Sequence, residues 1–133
     1  MQKSSVIWIV CALSLGLIGG WFGSDYLHRR AENIRALLEL GQVNEAIKSG
    51  DTQLAILSAV RAATLNPENH LAFLSLAELY ERIGHKTLAV SNYEEALRLL
   101  KANGGGSGEQ TYIQRKLEQI KASSGRAPQA SNK

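Results

Sequence analysis

One offset constrains this chain more than any other feature. Gly50 and Gly84 lie 34 residues apart, and so do Leu54 and Leu88, Ala55 and Ala89, Ala62 and Ala96, and Leu65 and Leu99. All five matches are glycine, alanine or leucine, the types that turns and packing select. A self-similarity of this length is that of a helix–turn–helix repeat, in which each unit buries its apolar side by stacking on a neighbour. The fold class is therefore expected to be all-α.

The punctuation agrees. The spacing predicts helices over about 31–48, 53–65, 69–83 and 86–101. Gly50 stops the first and Asp51 caps the next, Asn66-Pro67 ends the second, Gly84 stops the third, and "NGGGSG" ends the fourth. Leu76, Leu79, Tyr80 and Ile83 keep the spacing of a buried stripe, as do Leu88, Ala89, Tyr93, Ala96, Leu97 and Leu100. Ala77, Ala89 and Ala96 stand where a helix facing a generic core would carry leucine or isoleucine. Small side chains at such places let another backbone come close.

These residues carry a resemblance. Residues 70–103 resemble a tetratricopeptide repeat: Phe73, Leu76, Ala77, Tyr80, Gly84, Ala89, Tyr93 and Ala96 fall on that family's aromatic, Leu, Gly/Ala, Tyr, Gly, Ala, aromatic and Ala places. Lys101 stands where the family's closing proline would be. Residues 36–69 look like a degenerate copy that keeps Gly50, Ala55, Ala62 and Pro67. There Glu39 and Gln42 replace large apolar residues and Ala46 replaces the tyrosine. The resemblance implies antiparallel helix pairs that stack, with Ala77 and Ala89 where paired helices cross and Ala96 where the next unit packs. It also implies a groove, lined by the first helix of each repeat, that holds a peptide or extended segment. Its positions here are Leu37, Leu40, Asn44, Ile47 and Lys48 in the first copy, and Leu71, Leu74, Glu78, Glu81 and Arg82 in the second. Leu40 and Leu74 occupy places where members that clamp a C-terminal carboxylate carry lysine, so no such clamp is expected.

Flanking segments complete the layout. After a tail over 1–5, residues 6–23 carry no charge. As a helix they span roughly 27 Å, close to the hydrocarbon thickness of a bilayer. Trp8 lies near one end and Trp21, Phe22 and Tyr26 near the other, as interfacial aromatics would. A single transmembrane anchor is expected, followed over 24–35 by the start of a juxtamembrane helix. The alternative is a signal peptide cleaved after Gly16. Arg29, Arg30 and Arg35 outnumber Lys3 and favour a cytoplasmic C-terminal domain, whereas a short tail with one lysine also fits a signal-anchor that puts the domain outside. Gly16 with Gly20, and Gly19 with Gly23, have the spacing of a close helix–helix contact, which leaves a homo-oligomer open. At the other end, 104–108 reads as a flexible Gly/Ser linker and 109–122 as an amphipathic helix with Ile113, Leu117 and Ile120 on one side. That helix is expected to cap the last repeat. Residues 123–133 read as a disordered tail.

No residue pattern carries chemistry. His28, His70, His85 and Cys11 have no metal-ligand spacing, "GGGSG" lacks the Lys-Thr of a phosphate loop, and serines occur without a His–Asp context. Glu78 and Arg82 are one turn apart and read as a surface ion pair. The formal charge is +3, and the basic residues Arg115, Lys116, Lys121, Arg126 and Lys133 have only Tyr112 as an aromatic nearby. That is a solvated excess and not a nucleic-acid face. The expectation is a non-enzyme without cofactor or metal: a membrane-anchored scaffold or assembly factor that binds a protein or peptide. The alternatives are a structural subunit of a membrane complex with its repeat face permanently buried, and a periplasmic assembly chaperone with a cleaved signal.

Overall fold

The computed structural model of the protein describes residues 27–125. They divide into two compact units between Ile34 and Arg35. In the first, residues 27–34 are helical, and His28 Nε2 lies 3.2 Å from Glu32 Oε1. In the second the helices are α1 (35–49), α2 (Thr52–Leu65), α3 (His70–Arg82), α4 (Lys86–Ala102) and α5 (Ser107–Gly125). Among the described residues there is no strand, so the chain is all-α over this range. No helix among them is long and apolar enough to cross a membrane, and the anchor expected over 6–23 lies outside the described residues.

The 34-residue offset is visible in the backbone itself. Gly50 and Gly84 take φ of +81° and +80°, a region in which other residues pay a steric cost. Just past them Asp51 N donates to Ala46 O at 2.9 Å, and His85 N donates to Tyr80 O at 2.9 Å. These are the same helix-ending bond, one period apart. Asp51 caps as its position predicts, its Oδ1 accepting from Leu54 N at 2.9 Å; Asn69, expected as the first residue of the third helix, is instead its cap, with Oδ1 accepting from Leu71 N at 3.0 Å.

The joint between α4 and α5 differs from expectation. The linker expected over 104–108 is shorter, since Ser107 and Gly108 already belong to α5. It is also tied down: Gly105 N donates to Leu100 O at 2.8 Å, and Gln110 Nε2 donates to Gly105 O at 2.8 Å. A Cβ at Gly105 would run into the Leu100 side chain. The glycines thus end α4 tightly, where a flexible spacer was expected. At its far end α5 continues past 122, so 123–125 of the expected tail are helical. Ser123 Oγ there accepts from Lys86 Nζ at 3.1 Å, a tertiary contact that holds the last turn. Residues 126–133 of that tail lie outside the described residues.

Two apolar clusters form the core. The first joins Val43 and Ala46 of α1, Ala55 and Ala59 of α2, and Leu76 and Leu79 of α3. The second joins Ala77 of α3, Ala89, Tyr93, Ala96 and Leu100 of α4, and Ile113, Leu117 and Ile120 of α5. Tyr80 packs against both. The expected stripes need two corrections. Ile83 and Leu88 are exposed, because they flank the α3–α4 turn where the packed length of both helices ends. Leu99, outside the expected stripe, is buried, facing the Pro67–Phe73 region.

Candidate partner-binding face

The direction of α5 follows from its side-chain pairs. Glu109 meets His70 at 3.2 Å, Tyr112 Oη donates to Glu78 Oε1 at 2.8 Å, and Lys116 Nζ donates to Glu81 at 3.0 and 3.1 Å. Numbers rise together along both helices, so α5 runs parallel to α3. Against α4 they run oppositely: Lys121 pairs with Glu94 at 2.7 Å and Lys86 with Ser123. Tyr112 and Glu78 are 34 residues apart, and Lys116 and Glu81 are 35. Helix α5 therefore sits one period on from α3, in the seat of the first helix of a third pair. It brings Ile113, Leu117 and Ile120 over Tyr93, Ala96 and Leu100.

This arrangement sorts the ten expected groove positions into three groups. Leu37 and Leu71 are solvent-facing, with 60% and 42% of their surface exposed. Asn44, Lys48 and Arg82 are exposed as well, Lys48 holding Glu45 at 2.8 Å. Leu40, Ile47 and Leu74 are half-buried. Ile47 packs on the first core cluster and Leu74 on the second. Glu78 and Glu81 belong to neither surface group, because α5 engages them. The expected Glu78–Arg82 pair does not form; Glu78 takes the Tyr112 phenol instead, since that donor arrives from the neighbouring helix at hydrogen-bond distance.

The polar seam beneath this face is a chain of charge-assisted bonds. Glu81 accepts from the Tyr93 hydroxyl at 2.7 Å as well as from Lys116. Burial, and then the bond to Glu81, push the Tyr93 phenol far above its ordinary range. Burial and the bond to Glu78 push Tyr112 up to about 12. Both phenols therefore stay neutral donors at physiological pH. Sequence reasoning missed Tyr112, Lys116 and the His70–Glu109 pair as members of this seam. Carrying the 34-residue offset one step further, from Glu78 to Tyr112, is the signal that finds them.

His85 is exposed at the head of α4 with no side-chain cap bond, and its ring meets Tyr80 edge-on at 6.4 Å. A separate open cleft of about 460 Å³ lies among Pro67, Glu68, Phe73, Leu99 and Asn103. At its rim Arg98 binds Glu95 through two nitrogens at 2.8 and 2.6 Å and holds that carboxyl below the usual carboxylate range. Among the described residues no group of three or more His, Cys, Asp or Glu is placed to hold a metal ion. No family model matches the chain, and no curated protein matches it in sequence.

Proposed function

We propose that the protein is a membrane-held interaction module: residues 6–23 anchor it, and the face made by α1 and α3 beside α5 takes a partner polypeptide. One observation carries the binding half. Leu37 and Leu71 stand at matching places one period apart on the two first helices, both open to solvent. Half-buried Leu40 and Leu74 lie on the same face, while its carboxylates are occupied by α5. Apolar side chains removed from water contribute about 25 cal/mol per Å². A segment that offers apolar side chains at regular spacing meets this row, and Asn44, Lys48 and Arg82 at its edge give polar discrimination. The resemblance to tetratricopeptide repeats supports the same face. The uncharged length of 6–23 and its flanking aromatics support the anchor.

The test is a double variant, Leu37→Glu with Leu71→Glu. Both side chains are exposed, so helicity by circular dichroism is expected to match wild type. Partners cross-linked to the wild-type chain in its native membranes are expected to be lost. Retention of the same partners would sink the groove reading. Leu74→Arg is a poorer probe, since Leu74 packs on the core and its loss confounds folding with binding. Release of the wild-type chain from membranes by alkaline wash would remove the anchor.

A further inference from the structure

Helix α2 is built inside out relative to an ordinary core helix. Its buried residues are Ala55, Ser58, Ala59 and Ala62, while Leu54, Leu57 and Val60 point to solvent. The counterparts of Leu57 and Val60 one period on are Ser91 and Glu94, and Glu94 is taken by Lys121 of α5. The counterpart of Leu54 is Leu88, which is also exposed, so the outward apolar side chains particular to the first pair are Leu57 and Val60, which extend that one leucine into a stripe. None of α1, α3 or α5 contributes to it, so it is independent of the face proposed above.

We propose that this stripe is the contact between two copies of the chain, packed α2 on α2, antiparallel about a two-fold axis through Leu57. The charge pattern selects this occupant. Helix α2 carries one charged residue, Arg61, and its N-terminus is capped by Asp51. About the Leu57 axis, Leu54 of one copy lies on Val60 of the second. Arg61 of each copy then faces the second copy's first turn, within reach of Asp51. The two arginines stand about 12 Å apart along the axis at 1.5 Å per residue, beyond the roughly 8 Å screening length at physiological salt. A parallel pairing would put Arg61 against Arg61. The antiparallel one also sets each helix N-terminus beside the opposite C-terminus, a favourable dipole arrangement. The stripe makes a self-complementary patch, as a two-fold interface requires. Three partly exposed apolar side chains per copy are few beside the roughly 20–30 residues a side of a stable complex, so the association is weak and is best read by trapping.

The experiment uses the purified full-length chain with Cys11→Ser as background. Leu57→Cys places a thiol on the axis; Leu88→Cys is the control, since the two leucines are matched at 46% and 45% exposure. Under mild oxidation across a concentration series, Leu57→Cys is expected to form a disulfide dimer much faster than Leu88→Cys. Adding Arg61→Asp to Leu57→Cys sets acid against Asp51 and is expected to slow trapping by about threefold to tenfold. Equal rates for Leu57→Cys and Leu88→Cys would mean random collision and overturn the proposal. So would no dimer from Leu57→Cys, which would leave the stripe to a different protein. An unchanged rate with Arg61→Asp would overturn the antiparallel register.

Discussion

The two helix pairs share a backbone period and differ in what fills it. Where the second pair buries Tyr93, the first buries Ala59; where Tyr80 packs, the first has Ala46. Phe73 is answered by Glu39, whose Oε2 is buried with no hydrogen-bond partner, and Leu76 by Gln42, which accepts weakly from the buried Ser58 hydroxyl at 3.4 Å. A buried unpaired oxygen costs about 1–3 kcal/mol. The second pair has large side chains and a third helix to cover them. The first has smaller side chains, and its Leu37, Leu38, Leu54 and Leu57 face outward. Helix pairs tolerate this because their separation adjusts by a couple of ångströms to the side chains at the contact. The difference teaches that the period fixes where helices stop and start, while the volume between them is set separately at each pair.

The largest break in this comparison comes from the second cluster. Tyr93→Ala removes a fully buried ring and its bond to Glu81, and is expected to cost about 3–5 kcal/mol in urea unfolding. A loss under about 1 kcal/mol would mean that α5 relaxes into the space and that the second pair is no more tightly built than the first. A matched pair of substitutions sharpens the point. Ala96→Leu and Ala62→Leu are one period apart and both fully buried, and each is expected to cost about 1–3 kcal/mol by overpacking. Tolerance at Ala62 alone would show that the small residues of the first pair leave slack.

The smallest effect concerns the seam. Tyr112 is raised in the folded chain to about 12 from an ordinary 10.0, by burial first and the Glu78 bond second. A group raised on folding adds stability that is complete below its unfolded pKa and is lost as pH climbs through its folded one. Thermal stability is therefore expected to fall from pH 10 towards pH 12. Tyr112→Phe is expected to cost about 1 kcal/mol at pH 7 and to flatten part of that fall, with the share of Tyr93 remaining. An unchanged alkaline slope would show that the Tyr112 bond does not hold α5.

Much of the described architecture was legible in the sequence, and the parts that were not share one cause. Gly50, Gly84 and Asp51 act through bonds to residues a few positions away, and the chain order alone places the ends of α2, α3 and α4 to within about one residue, but not the start of the first helix or the ends of α5. Ala77, Ala89 and Ala96 were legible too, because small residues at helical spacing have few uses other than close packing. The candidate face was legible only as positions. For Glu78 and Glu81 the outcome was decided by α5, whose side-chain hydrogen-bond partners on α3 and α4 lie 27 to 37 residues away along the chain. That is why Glu78 and Glu81 passed for groove charges and 104–108 for a loose spacer.

The sequence by itself determined the period, the boundaries of α2, α3 and α4 and the small-residue contacts, because each is set by local backbone conformation and side-chain size. Only the tertiary structure decided that α5 takes the seat of a third first helix, that Glu78 and Glu81 are engaged by it, and that Leu54 and Leu57 of α2 face outward. Exposure is a property of what packs against a residue, and that is settled when distant helices meet.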